Sequence, residues 1–294
     1  MFHKPATATA DHHPLARFAP VCQLSAEQTT PTLPNRLRAA PRRAFGALAT
    51  HIHETPGLVS ARLMAQNASM KTNLIVHGAT GRMGLELLAL IERDQRLELA
   101  ATLPGQWPDD AGGSVVVDFS LPEALPELLE ACSSRRLALV SGTTGISDEQ
   151  KSTMRQASAQ IPVLWAPNFS LGVAVLQRAL RLCASALPPQ WDVHLVDTHH
   201  RHKQDAPSGT ARLLAATVDQ ARAQHTGARP VEVVSTRVGE VVGDHQFCFA
   251  GPSERLEIAH RADRRSLFAE GALHAACWLQ SQPPGWYSFD DCLG

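Results

Sequence analysis

The sequence predicts an α/β chain: a dinucleotide-binding domain built on a parallel sheet, joined to a second, smaller α+β domain. Three observations predict it. From Asn73 to Asn168, short apolar runs alternate with helical patterns, as in strands joined by crossover helices on both faces of a sheet. A glycine turn, Gly78-Ala79-Thr80-Gly81-Arg82-Met83-Gly84, lies between the first apolar run and the first helical pattern. After Asn168 the texture changes to alternating strands with little helix between them, which suggests an open mixed or antiparallel sheet.

The bulk numbers fit this division. A chain of 294 residues is long enough for two cores. Apolar residues at 44 % and charged residues at 19 % are ordinary for a soluble globular protein. A formal net charge of −1 leaves no basic excess to neutralise phosphates, so nucleic acid is not expected as a partner. No apolar run reaches the roughly 20 residues of a bilayer span, so no membrane partner is expected either. Cys22, Cys132, Cys183, Cys248, Cys277 and Cys292 show no CxxC spacing and read as reduced thiols of a cytoplasmic protein.

Residues 1–69 are rich in Pro, Ala, Thr, His and Arg and carry no hydrophobic period. Such a stretch buries too little apolar surface to offset its ordering entropy. It fits a disordered tail, a transit peptide, or sequence upstream of a start at Met70. The position of Met70 just ahead of the first strand favours the last.

The elements then follow in order. Leu74-Ile75-Val76 is a buried strand, and a helix runs from about Met83 to Arg93. Leu97 to Leu103 is the second strand and Val115 to Phe119 the third. Pro122 opens a helix to about Cys132, since proline suits a first turn. Leu137 to Ser141 is the fourth strand. Ser147 and Gln150 form a capping box for a helix to about Ala159. Val163-Leu164-Trp165 is the fifth strand. A helix from Leu171 to about Ala186 leads to an alternating strand, Trp191 to Val196, and a further helix runs from about Gly209 to Gln224. Strands at Val231 to Val238, His245 to Ala250 and Arg255 to Ala259 precede a last helix, Arg264 to about Leu279, expected to pack back on the first domain. The resulting map is 1–69, an extension; 70–168 plus about 255–294, the dinucleotide-binding domain; and 169–254, the substrate domain.

The glycine turn permits close backbone approach to a pyrophosphate resting on a helix N-terminus. Gly142-Thr143-Thr144-Gly145 follows the fourth strand and Ala166-Pro167-Asn168-Phe169-Ser170 the fifth, at the carboxyl edge where such sheets bind ligands. The second strand ends Thr102-Leu103-Pro104-Gly105-Gln106. It offers neither the acid that holds a ribose nor an arginine for a 2′-phosphate, so NADH and NADPH both remain open.

The densest chemistry lies at His199-His200-Arg201-His202-Lys203, followed by Asp205-Ala206-Pro207-Ser208-Gly209-Thr210-Ala211. Basic side chains and the N–H groups of a helix N-terminus converge there, a site for a small molecule carrying carboxylates or phosphates. Histidines in it can move protons near neutral pH. No metal is expected, because the histidines follow a strand without helical i, i+4 spacing or a matching carboxylate or thiolate. Arg255 and His260 flank a later strand, and a surface ion pair is the plain reading of both.

These residues resemble the 4-hydroxy-tetrahydrodipicolinate reductase (dihydrodipicolinate reductase) family over roughly Asn73 to Gly294. Supporting pieces are Val117-Asp118-Phe119-Ser120, Asn168-Phe169-Ser170-Leu171-Gly172-Val173 and Glu254-Arg255-Leu256-Glu257-Ile258. The resemblance implies a Rossmann-like nucleotide domain, an α+β substrate and oligomerisation domain, and a homotetramer. It implies hydride transfer from NADPH or NADH to C4 of a cyclic imine dicarboxylate, in the diaminopimelate route to lysine. His199 would be the general acid/base and Lys203 the proton donor. His200, Ser208, Gly209 and Thr210 would hold the substrate's carboxylates, with Arg255 assisting. Gly78, Ala79, Thr80, Gly81, Arg82, Met83, Gly142, Thr143, Thr144, Ala166, Pro167, Asn168 and Phe169 would hold the cofactor. The chain departs from the family pattern in a shortened stretch between the second strand and Val115 and another between about Gln224 and Val231. Two other readings stand beside this one: a degenerate nucleotide-binding homologue with a regulatory role, and another nicotinamide enzyme such as an amino-acid dehydrogenase. The intact histidine-lysine and Pro-Ser-Gly-Thr-Ala pieces speak against the second.

Overall fold

A computed structural model describes residues 71–294, and the expectations for residues 1–69 lie outside the described residues. The first half is β1 (Thr72–His77), α1 (Arg82–Arg93), β2 (Leu97–Leu103), β3 (Val115–Asp118), α2 (Leu125–Arg135), β4 (Ala138–Ser141), α3 (Asp148–Ala157) and β5 (Pro162–Trp165). The second half is α4 (Leu171–Ala186), β6 (Asp192–His199), α5 (Gly209–Arg222), β7 (Glu232–Arg237), β8 (Gly243–Ala250), β9 (Arg255–Ala262), α6 (Ser266–Leu279) and β10 (Gly285–Tyr287).

A six-stranded sheet runs in the order β10-β5-β4-β3-β1-β2, every pair parallel. Alternation along its central strands explains the two covered faces, because successive strand residues point to opposite sides. Leu74, Val76, Val117, Val140 and Leu164 pack with α1 and with Ala269, Ala272, Ala275, Ala276 and Leu279 of α6. Ile75, Val116, Leu139 and Val163 pack with Leu125, Leu128, Leu129 and Met154 of α2 and α3. Each valine, leucine, isoleucine or methionine among them contributes about 1.5–3 kcal/mol by leaving water. The last helix therefore returns to the first sheet, and its alanine face allows close approach.

The second sheet has the order β7-β6-β8-β9. β6 is parallel to β7 and antiparallel to β8, and β8 pairs antiparallel with β9, so the sheet is mixed. α4 and α5 cover one face through Leu176, Leu180, Leu214 and Val218 packed on Leu195, Phe247 and Phe249.

Several boundaries differ from the sequence reading. Pro122 opens a short 3-10 turn, Pro122–Ala124, and the α-helix begins after it, with Pro126 in its own first turn. The capping box of Ser147 and Gln150 is present. β6 extends to His199, so this histidine ends the strand. β9 hydrogen-bonds to β8, so the chain crosses back to the first sheet after Ala262, not at about 255. β10 was not expected: a Gly-Trp-Tyr strand after two prolines is too short to show a period, and its place is set by pairing with β5. Cys132, Cys183, Cys248, Cys277 and Cys292 are free thiols. Among the described residues, no helix is long and apolar enough to cross a membrane.

Candidate active site

β1 delivers the chain to Gly78, which turns with φ +78°. A Cβ there would lie 2.6 Å from the Phe119 carbonyl oxygen, so the position requires glycine. A Cβ on Gly84 would overlap the Gly78 carbonyl oxygen, so glycine also lets α1 sit close against the turn. Gly81 caps α1 without a side-chain hydrogen bond, leaving first-turn N–H groups free for an anion. Beneath these loops lies Asp118, 0 % exposed. It accepts hydrogen bonds from Ser120 Oγ (2.6 Å), Ser141 Oγ (2.8 Å) and Thr143 Oγ1 (2.8 Å), and His77 Nδ1 lies 2.8 Å away. Burial pushes its carboxyl up, but these contacts outweigh that and hold it below the usual carboxylate range. The loops after β1, β3 and β4 are thereby fixed to one buried group.

Two cavities flank the turn. One, about 530 Å³, is lined by Gly78, Thr80, Gly81, Leu103, Pro104, Gly105, Trp107, Leu121, Glu127, Leu128 and others. The Arg135 guanidinium lies 4.7 Å over the Trp107 ring on that side. The other, about 780 Å³, is lined by Arg82, Met83, Phe119, Ser120, Gly142, Thr143, Thr144, Pro167, Asn168 and Phe169 from the first domain. Across the same cleft stand His199, His200, Lys203, Asp205, Ser208, Gly209, Thr210, Leu213, Val242, Arg265 and Phe268. Ala79 and Ala166 of the expected cofactor set are core side chains; what they offer a ligand is backbone.

On the second-domain side of the cleft, Ser208 caps α5 by accepting from the Ala211 N–H at 3.1 Å. Gly209 and Thr210 then open the helix toward the cleft. Asn168 Nδ2 donates to Thr210 Oγ1 at 3.0 Å, tying the loop after β5 to this helix. Lys203 Nζ lies 2.7 Å from Asp205 Oδ1, and this ammonium holds the Asp205 carboxyl below its usual range. His200 Nε2 lies 3.3 Å from Arg265 Nη2; desolvation and then the guanidinium push this imidazole down.

Asp197, 0 % exposed, sits below His199, whose Nδ1 is 3.0 Å from Asp197 Oδ1. The angle there is too bent for a well-formed hydrogen bond. Burial pushes the Asp197 carboxyl up, yet contacts with His199 and Ser208 bring it well below the ordinary range. Donor atoms of Asp197, His199 and His245 lie within 4.8 Å of one another, a metal-like set where spacing alone offered no carboxylate. Its carboxylate oxygens are taken, however, by Ser208, Ser235 and Arg237.

Comparison with known proteins decides the family. Residues 172–293 match the model "Dihydrodipicolinate reductase, C-terminus" and residues 106–169 match "Dihydrodipicolinate reductase, N-terminus". The 4-hydroxy-tetrahydrodipicolinate reductase of Xanthomonas campestris pv. campestris (strain B100) is 43 % identical over 237 residues, 75 % of this chain and 97 % of that protein. That of Stenotrophomonas maltophilia (strain K279a) is 44 % identical over 238 residues, again 75 % and 97 %. The chain belongs to the 4-hydroxy-tetrahydrodipicolinate reductase family. A dipicolinate-bound dihydrodipicolinate reductase from Paenisporosarcina sp. TG-14 has the same fold, with TM-score 0.63, 22 % identity, and coverage of 74 % of this chain and 98 % of its own.

As a member of this reductase family the chain is a nicotinamide-dependent oxidoreductase, and the uncapped α1 terminus behind Gly78 fits the cofactor's pyrophosphate. One expected family residue is misplaced. Arg255 is paired through β8 with the Asp192 end of β6, opposite to the end carrying His199. It is an exposed surface residue bonded to Glu257 at 3.1 Å, so within one chain it does not reach the cleft. The guanidinium that does reach it from the second-sheet side is Arg265, N-cap of α6, facing Arg82 of the first domain across the cleft lining. Sequence reasoning missed it because Arg264-Arg265 resembled an ordinary charged helix start. His260, read as a surface residue, instead faces Ser170 Oγ at 3.2 Å and stacks on His245 at 6.2 Å. His202 and Arg201 do not line the cleft.

Proposed function

We propose that the chain reduces 4-hydroxy-tetrahydrodipicolinate, or its dehydrated form, to tetrahydrodipicolinate, with His199 as general acid/base and Lys203 as proton donor. The observation that carries this is the shared cleft: cofactor loops form one wall, and a lysine, two histidines and a helix N-terminus form the other. When bound, the nicotinamide would supply a hydride to C4 of the conjugated ring that forms once the 4-hydroxyl has left as water. That ring already bears two carboxylates, and the hydride adds negative charge. The N–H groups of Gly209 and Thr210, with His200 and Arg265, bind carboxylate and lower the barrier by electrostatics already in place. Lys203 or His199 delivers the balancing proton. Asp205 holds Lys203 at the cleft wall.

The finer cofactor reading is NADH. The 530 Å³ cavity would take the adenosine half, and the charged side chain projecting from α2 into its lining is Glu127. A carboxylate accepts hydrogen bonds from ribose hydroxyls and repels a 2′-phosphate. The same reading includes a cytoplasmic homo-oligomer, a tetramer by family resemblance, meeting through the uncovered face of the four-stranded sheet, where Val234 is exposed.

The test is a coupled assay, with fresh substrate from the preceding synthase and both nucleotides followed in parallel. Oxidation dependent on the synthase product, faster with NADH, supports the reading; tight nucleotide binding without turnover would favour the regulatory homologue. Lys203→Ala should lower turnover about 100-fold or more, the scale of a general acid, while nucleotide affinity by calorimetry is unchanged. Unchanged turnover removes Lys203 from the mechanism.

A further inference from the structure

We propose that Asp197 is a positioning residue that fixes the tautomer of His199 and, through Ser208, the carboxylate-binding end of α5 relative to it. The inference rests on the reading of His199 as the acid/base group. Asp197 and His199 lie two apart on β6, on the same face of the strand, and both are buried at 0 % and 8 % exposure. Oδ1 meets His199 Nδ1 at 3.0 Å and accepts from Ser208 Oγ at 2.8 Å. Oδ2 accepts from the Ser208 N–H at 2.9 Å. One carboxylate thus contacts the proton-transfer group and anchors the N-cap of the helix whose first residues face the substrate.

Other groups around it do not replace this role. Arg237 of β7 reaches Oδ2 at 3.4 Å and Ser235 Oγ at 3.2 Å, and both hold the carboxylate rather than the imidazole. His245 of β8 lies 3.6 Å from Oδ1 with its ring 5.5 Å from that of His199. His260 of β9 stacks behind it, and Lys203 and Asp205 close the loop side. Buried His199 Nδ1 has no well-formed partner, and Asp197 is the acceptor in contact with it. A carboxylate at Nδ1 favours the Nδ1–H tautomer, which leaves Nε2 to exchange the reaction's proton.

The test combines spectroscopy and kinetics on the full chain. In ¹⁵N-histidine spectra at alkaline pH, with His199 assigned from the signal lost in His199→Asn, wild-type His199 should be the Nδ1–H tautomer. In Asp197→Asn that preference should be lost. The same variant should lose about 10–100-fold or more in kcat, the range found when a group orienting a functional histidine is removed, and should weaken dipicolinate binding, while NADH affinity stays within about twofold. An Nε2–H tautomer in the wild type, or an identical His199 signal and kcat in the variant, overturns the proposal. The wild-type spectrum decides the matter even if Asp197→Asn does not fold. A wild type with the Nδ1–H tautomer but no turnover would support the positioning role and refute the functional reading instead.

Discussion

His245 gives the fold a pH dependence whose sign and size follow from its surroundings. The residue is 3 % exposed, and burial pushes its imidazole down to about 4, against the upward pull of Asp197. In the unfolded chain the same group titrates near its free value of about 6.5. Between these limits the unfolded state takes up a proton that the folded state refuses, so stability falls as pH falls. The contribution is fully present above about pH 6.5, is reduced by about 2 kcal/mol at about pH 5, and is lost by about 3 kcal/mol below about pH 4. His260, also pushed down by burial, acts in the same direction, so a comparison is needed to isolate His245. Urea unfolding followed by tryptophan fluorescence, at about pH 7.5 and about pH 5, should be run on wild type and His245→Gln. The glutamine keeps a polar group near Ser208 Oγ, now 3.4 Å from His245 Nε2. The wild type should lose about 2 kcal/mol more than the variant over this interval. Equal losses would show that His245 is not held neutral by burial and would refute the reasoning.

Gly84→Ala places a Cβ against the Gly78 carbonyl oxygen; it should cost about 1–3 kcal/mol of stability by overpacking and weaken NADH binding, checked by thermal melting and calorimetry. Gly243→Ala places a Cβ 2.9 Å from His199 Nε2. It should lower kcat about tenfold or more, the scale of a small misplacement of a reacting group, with NADH affinity unchanged; a wild-type kcat would show that this edge of the imidazole is not constrained.

Much of the fold was legible because its signals are local. Leu74-Ile75-Val76 and Val115-Val116-Val117 are continuous apolar runs of strands covered on both faces, and Ser147 with Gln150 announces a helix start that the structure contains. The glycine turn was legible because each glycine answers to a steric demand from its own neighbourhood. β10 and the edge at β9 were not, since both are defined by which strand they pair with. The candidate site divides in the same way. Ser208, Gly209 and Thr210 follow from helix-capping chemistry written in consecutive residues. Arg265 and His245 reach it from elements far along the chain, and Asp197, two residues before the motif, showed its contact only once strand alternation placed it beside His199.

The relocated crossing also bears on how the cleft is assembled. The chain passes between the two sheets after β5 and again between Ala262 and α6. Each crossing carries a hydrogen bond into the site: Asn168 to Thr210 at the first, Arg265 to His200 at the second. Asn168 also accepts from the Ser170 N–H at 2.7 Å, so its amide is oriented by its own loop before it reaches across. The connections that fix the spacing of the two domains are therefore segments that line the cleft. With the crossing after Ala262, the start of α6 sits beside His200, and this wall of the cleft is completed by a residue of the helix that packs under the six-stranded sheet.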